Sequence, residues 1–401
     1  MASVDDNPSP GRAGWDADRA CLPRETVQRL RPHFPALGIT RLARQTGLDT
    51  IGIPCFSAIR PNARTLACSQ GKGVDDDAAM ASAVMEAAEF AVAEREMDPA
   101  WVGSAAALQA MDMSWFDPQR LLPFGQLFDR DRPLAWLAGR SVLSGGPVLI
   151  PRDAVRFDGH TPDLNGIAQS TNGLASGNTP EEAEFHGLCE LVERDASSLW
   201  SLLPLEQQKL SAFDAKRLRD PIVDRLSALI ARANLRLQLF DLTSNIGVPT
   251  VMALIGPTEG WRYFEAAAGT GSHPVPARAA QRAITEAAQS RITSIAGARD
   301  DIPTAQYETA KNAAVSDLLA TSCDREPPRG LTFNSGREAA KTFLRRALLA
   351  AEITDPVATS LGGESFGISV VRVLSEILED RDANPNWRPG TRAVERLLEA
   401  A

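Results

Sequence analysis

The sequence predicts an α/β (α+β) chain in which helices pack on mixed or antiparallel sheets. Three observations predict it. Apolar runs of strand length, bounded by Gly, Pro, Asn and Asp, recur on both sides of the centre. Longer segments carry polar side chains at helical spacing on one face and alanine or leucine on the others. Three of these helices each follow a glycine-containing turn, and no repeat of fixed period is present.

Taken in order, residues 1–22 are acidic and polar, and read as a disordered lead-in rather than a signal peptide. Residues 23–37 read as a short helix after Pro23. In residues 38–62, the turn residues Gly47, Asp49, Gly52 and Pro54 separate short apolar pieces, which suggests paired strands. Arg64–Ser69 is another strand candidate. Gln70-Gly71-Lys72-Gly73 reads as a strand-to-helix turn with part of a phosphate-loop character, although the spacing GxxxxGK[ST] is absent. Asp75-Asp76-Asp77 then supplies negative charge for the N-terminus of a helix over 78–94.

Residues 98–160 read as irregular connections with short strands at 134–137 and 147–150, and Trp101, Trp115 and Trp136 as packing residues. The stretch 171–196 is the centre of the chain. Thr179 offers an N-cap oxygen, Pro180 suits the first helical position, and Glu182 completes a capping box. Residues 210–232 suggest one or two helices, and 235–242 and 250–255 two strands, with 261–268 as a third candidate. A helix over 276–295 follows the GTGSHP turn. Residues 297–335 read as a loop, 337–353 as a helix, 367–373 as a buried strand, and 384–401 as a Pro/Trp turn and final helix.

The chain of 401 residues is organised as the lead-in, a body over 23–380 and a C-terminal turn and helix over 381–401. A net charge of −9 argues against a nucleic-acid surface, which requires clustered Lys and Arg. No apolar run approaches the roughly 20 residues of a membrane span. The five cysteines include no CxxC pair, so neither a zinc site nor a disulfide framework is expected, and the reducing cytoplasm is the simple placement.

Candidate site residues come from the three polar-faced helices. Glu182, His186, Glu190 and Glu193 fall on one helical face, with Arg194 beside them. Ser82, Glu86 and Glu89 share a face of the earlier helix, and Arg282, Glu286 and Gln289 of the later one. A solvated acidic face is the plain alternative for any one of them, and Arg282–Glu286 is a common surface pair. Two carboxylate-bearing helices behind glycine-rich turns favour a Mg²⁺–polyphosphate site, because hard oxygen ligands and exposed backbone N–H groups are what such a site needs.

Together these stretches resemble the YcaO family. The resemblance rests on GKGVDDDAAMASAVMEAAE, STNGLASGNTPEEAEFHGLCELVERDA, RAAQRAITEAAQSRITSIAGARDD and ITRLARQTGLDTIGIPCFSAIRPN, and covers about residues 39–375. It implies a YcaO-type fold with a central ATP site, ATP and Mg²⁺ as cofactors, and phosphorylation of a peptide backbone amide. Residue by residue, it implies that Ser82, Asn178, Arg194, Arg282, Glu286, Gln289 and Lys72 bind the nucleotide, and that Glu86, Glu89, Glu182, Glu190 and Glu193 hold the metal. It singles out no general base, and His186 reads as a structural histidine.

The chain ends in ERLLEAA where azoline-forming members resemble one another in a terminal Pro-x-Pro-x-Pro. With the TGLDTIGIP and RITSIAGARDD segments, this resembles members encoded beside a TfuA-type partner, which implies thioamide formation in a ribosomally made peptide or a protein. An azoline-forming cyclodehydratase, and a non-catalytic accessory of ribosomal-protein methylthiolation, are the alternatives. A peptide or protein substrate, a TfuA-like partner and a homodimer are implied by the resemblance alone.

Overall fold

A computed structural model describes residues 19–161, 164–257, 266–297 and 313–400. The lead-in up to residue 18 and most of the 261–268 strand candidate therefore lie outside the described residues.

Among the described residues three sheets carry the fold, and every named strand pair in them is antiparallel. Helix α1 (Pro23–Leu30) precedes the first sheet, in which β1 (Arg41–Arg44), β2 (Cys55–Ile59) and β3 (Cys68–Lys72) lie in sequence order. Helix α2 (Asp76–Ala93) follows β3 directly, and the Asp75 side chain caps it by accepting the Ala78 N–H. The next region is more regular than its composition suggests. It holds β4 (Trp101–Ser104), α3 (Ala105–Ala110), β5 (Pro133–Ser141), β6 (Pro147–Pro151) and the single turn α4 (Arg152–Val155).

The central stretch opens with β7 (Leu174–Gly177) and continues as α5 (Pro180–Ser201). Then come α6 (Leu205–Lys209), β8 (Ala212–Phe213), α7 (Pro221–Arg232), β9 (Leu235–Asp241), β10 (Thr250–Pro257), β11 (Ala267–Ser272) and α8 (Pro276–Ala296). Helix α9 (Ala313–Leu319) lies where the sequence suggested only a loop. Helix α10 (Arg337–Ala350), β12 (Val357–Gly362), β13 (Ser369–Leu374) and α11 (Thr391–Ala400) close the chain. The second sheet runs β4-β5-β12-β13-β7 with β6 on β5, and the third runs β11-β10-β9-β8.

One device recurs three times. The strand at the end of each sheet, β3, β7 or β11, turns directly into a long helix, α2, α5 or α8, which packs back on it. The approach is close enough to need glycine. A Cβ at Gly71 of β3 would lie 2.1 Å from the Ala83 nitrogen, and one at Gly271 of β11 would lie 2.4 Å from the Ala279 carbonyl oxygen. Alanines on the facing helices, Ala79, Ala83 and Ala87 on α2 and Ala279, Ala283 and Ala287 on α8, are all fully buried. The two glycine-rich turns of the sequence are thus largely strand: Gly71 pairs with Phe56, and Gly271 with Val251.

Candidate nucleotide and metal site

The three end strands converge, and the polar faces of their helices meet between them. An end strand leaves backbone N–H groups without a ladder partner, a liability that proteins cover in various ways. Here carboxylates cover it. The Gln70 N–H donates to Glu86 at 2.7 Å, the Ser272 N–H to Glu193 at 3.0 Å, and the Thr270 N–H to Glu286 at 3.3 Å. The Ser176 N–H on β7 reaches Glu89. Each hydrogen bond takes one carboxylate oxygen and fixes the orientation of its glutamate.

Between these strands lies a cavity of about 360 Å³, within the size range of small-molecule pockets. Its walls include Ser82, Glu86 and Glu89 of α2, Asn178 before α5, Glu182, His186 and Glu190 of α5, Arg282 of α8, and Lys72. Eight of the residues named from the sequence as nucleotide or metal ligands therefore share one cavity.

The remaining four do not line it. Glu193 uses one oxygen for Ser272 and the other for the Thr270 hydroxyl, at 2.8 Å. Glu286 pairs with Lys72 Nζ at 2.5 Å. Gln289 donates to the Gln70 carbonyl at 2.7 Å, tying α8 to β3. Arg194 stands 3.9 Å from Glu190. Glu286 and Arg194 reach the cavity through Lys72 and Glu190, which line it, whereas Glu193 and Gln289 are held by β11 and β3.

The N-terminus of α5 differs from the expected box in one respect. Thr179 does accept the Glu182 N–H, at 3.2 Å. The Glu182 carboxylate, however, reaches one residue further back and receives the Asn178 N–H at 3.0 Å and its amide at 3.3 Å. The cavity also recruits residues from segments with no periodic signal. Arg19 pairs with Glu182 at 3.3 Å and donates to His186 Nε2. Thr26 of α1 donates to Asn178 at 3.0 Å. His273 accepts the Val275 N–H on Nδ1 at 2.9 Å and packs edge-on against Phe185, as His186 does.

The electrostatics divide the carboxylates into two groups. Burial would raise the pKa of Glu182, but His186, Arg19 and the Asn178 N–H hold it well below the usual range. Burial also opposes ionisation of Glu286, and Lys72 and Arg194 overcome it. At Glu89 and Glu190 burial prevails. Burial, with Glu190 beside it, pushes Glu89 well above the ordinary glutamate value. Burial, with Glu193 adjacent, pushes Glu190 up to about 7 despite Arg194. His186 is neutral at physiological pH, since burial and Arg19 lower its pKa to about 4.

Two half-buried carboxylates that repel each other call for a cation. Among the described residues no group of three or more His, Cys, Asp or Glu side chains forms a ready metal cage. Mg²⁺ takes one or two carboxylates and completes its shell with water and phosphate oxygens. The donor set of hard carboxylate oxygens, with Arg282 and Lys72 close by, fits a magnesium–polyphosphate group.

Residues 70–379 match the model of a family described as the ATP- and Mg²⁺-binding YcaO cyclodehydratases. The chain belongs to the YcaO family. An uncharacterized protein in the tfuA 3′ region of Rhizobium leguminosarum bv. trifolii is 38% identical over 396 residues, covering 95% of this YcaO chain and 93% of that protein. An uncharacterized protein of Methanothermobacter thermautotrophicus is 33% identical over 378 residues, covering 92% and 96%.

Among solved structures, YcaO from Methanopyrus kandleri bound with AMPPCP and Mg²⁺ superposes with a TM-score of 0.64 at 21% identity, covering 93% of this chain and 97% of that one. A heterocyclase in complex with substrate and cofactor gives 0.67 at 21% identity, covering 90% of this chain but 53% of that one. The chain thus spans about half the length of that heterocyclase. These likenesses show the fold, with α and β elements arranged as in other YcaO proteins.

Proposed function

We propose that this YcaO protein uses ATP and Mg²⁺ to activate a backbone amide of a peptide or protein by O-phosphorylation, for thioamide formation. The observation that carries the amide-activation part is that Glu89 and Glu190, from two different helices, share a cavity that also presents Arg282 and Lys72. Glu89 and Glu190 would hold the metal, with Glu86 beside them in the cavity wall. When bound, Mg²⁺–ATP supplies an electrophilic terminal phosphoryl group and the neutralisation of its charge. Arg282 would bind phosphate through its guanidinium fork, and Lys72 as a point charge held ready by Glu286. Ser82 and Asn178 supply neutral hydrogen-bonding groups at the cavity wall.

The thioamide product is supported by the relative in the tfuA 3′ region. A TfuA-like protein would then be the partner that delivers sulfur or presents the peptide. Azoline formation is the second reading, favoured by the family's description as cyclodehydratases. Co-expression with candidate precursor peptides and a TfuA-like protein, followed by exact-mass spectrometry, separates the readings. A mass gain of sulfur for oxygen supports thioamidation. Loss of one water supports the azoline, and an unchanged peptide with a nucleotide-competent protein counts against both. Glu190→Gln is expected to abolish the product and the thermal stabilisation by ATP with Mg²⁺. Retention of both would overturn the assignment of Glu190.

A further inference from the structure

Arg372 of β13 is only 3% exposed. Two other buried arginines are held by carboxylates. Arg60 grips Glu94 with two hydrogen bonds, and so does Arg392 with Asp195. The Nε of Arg372, by contrast, has no hydrogen-bond partner among the described residues. A buried donor left unpaired is costly and calls for an explanation.

Its position supplies one. In the β7–β13 ladder Arg372 lies opposite Leu174, which lines the cavity. Val370, two residues earlier on the same strand face, packs with Leu174 against the alanines of α2. The side chain of Arg372 therefore lies on the α2 side of the sheet. The charges facing it are Glu190 of α5, Asp380 of the C-terminal segment and Glu89 of α2, and they do not fully offset burial of its guanidinium. Glu89 and Glu190 both line the cavity, and burial raises the pKa of each.

We propose that Arg372 binds the terminal phosphoryl group of the nucleotide. The assignment rests on the amide-activation reading above and adds a phosphate ligand that no periodic pattern marks. A metal ion held by Glu89 and Glu190 would neutralise charge at the phosphate end of the nucleotide. A guanidinium beside those two carboxylates meets that end of the nucleotide and not the base or ribose. The guanidinium fork suits a phosphoryl group, where a lysine would offer only a point charge. With its Nε unpaired, Arg372 has a donor available when the phosphate arrives.

The test compares binding of a non-hydrolysable ATP analogue and of ADP, both with Mg²⁺, to the full chain and to Arg372→Gln and Arg372→Lys. The expected result for Arg372→Gln is an affinity for the ATP analogue lower by about 10- to 100-fold, with ADP affinity nearly unchanged. Arg372→Lys is expected to keep the fold and lose part of the preference, and it decides the matter if Arg372→Gln does not fold. Equal weakening of both nucleotides would make Arg372 a mere counter-charge for Glu89 and Glu190 and overturn the proposal. Unchanged affinities would overturn it as well. A wild-type chain that binds neither nucleotide would overturn the amide-activation reading and this inference with it, an outcome distinct from a failure of Arg372 alone.

Discussion

At the scale of single residues, Glu190 carries a measurable signature. Its folded-state pKa is raised from 4.5 to about 7. Between those values the folded state holds a proton that the unfolded chain has released. Stability contributed by this group is therefore present below pH 4.5 and lost as pH rises toward 7. His186 acts in the opposite sense, because its folded pKa lies below 6.5, so stability from it grows as pH rises between about 4 and 6.5. The difference between wild type and Glu190→Gln isolates the first effect. In metal-free buffer the stability of wild type relative to Glu190→Gln is expected to fall across this interval, by no more than about 3 kcal/mol. Added Mg²⁺ is expected to flatten the slope. Urea unfolding at several pH values checks it, and a difference that does not vary with pH would contradict the assigned environment of Glu190.

At the scale of elements, the recurring strand–helix unit depends on glycines that admit a helix backbone. Gly71→Ala would drive a methyl group into the α2 backbone at Ala83, where no side chain can swing aside. The expected cost is about 1–3 kcal/mol, the range for overpacking, read as a lower urea midpoint with an unchanged m-value. Gly47 serves as the control. A Cβ there would meet nothing within 4 Å, its φ is not left-handed, and alanine is expected to be tolerated. Displacing α2 also shifts Ser82, Glu86 and Glu89, so Gly71→Ala is expected to weaken nucleotide binding from outside the cavity. Helical spacing made the faces of α2 and α5 legible in the sequence. The strand character of Gln70–Lys72 and Gly269–Ser272 was not, because their glycines answer to the packing of a neighbouring helix and not to any local turn.

At the scale of the whole molecule, the C-terminal segment is fastened to the site-bearing helix. Asp195 of α5 is fully buried and receives Arg392 at 2.8 and 2.7 Å, and the Glu379 N–H at 3.1 Å. Glu379 in turn takes Arg120 at 2.6 Å and the Trp387 indole at 2.9 Å. Arg392→Met would leave the Asp195 charge buried without its cation, at an expected cost of about 3–5 kcal/mol. Asp195→Leu combined with Arg392→Met is expected to recover much of that loss, since the partner charge is removed as well. Chemical denaturation of the single and double variants checks the coupling, and additive losses would show that the pair does not act as a unit. No described helix is long and apolar enough to cross a membrane.

What the sequence determined by itself follows from local rules. Capping residues, helical periodicity and the clustering of Ser82, Glu86 and Glu89, and of Glu182 and Glu190, are written within one or two turns of a single element. So is the family, through long motifs that each lie within one segment. Tertiary structure alone decided which polar groups share the cavity and which are spent elsewhere. Glu193 and Glu190 look equivalent along α5, yet Glu193 is held by β11. Arg19 and Arg372 lie 353 residues apart, by subtraction of their numbers, in segments without periodic polarity; Arg19 pairs with a carboxylate of the site and Arg372 faces two others. Burial, which sets the charge on Glu89, Glu190 and His186, is a property of the packed molecule. It arises where three sheet ends meet, and no stretch of the chain contains more than one of them.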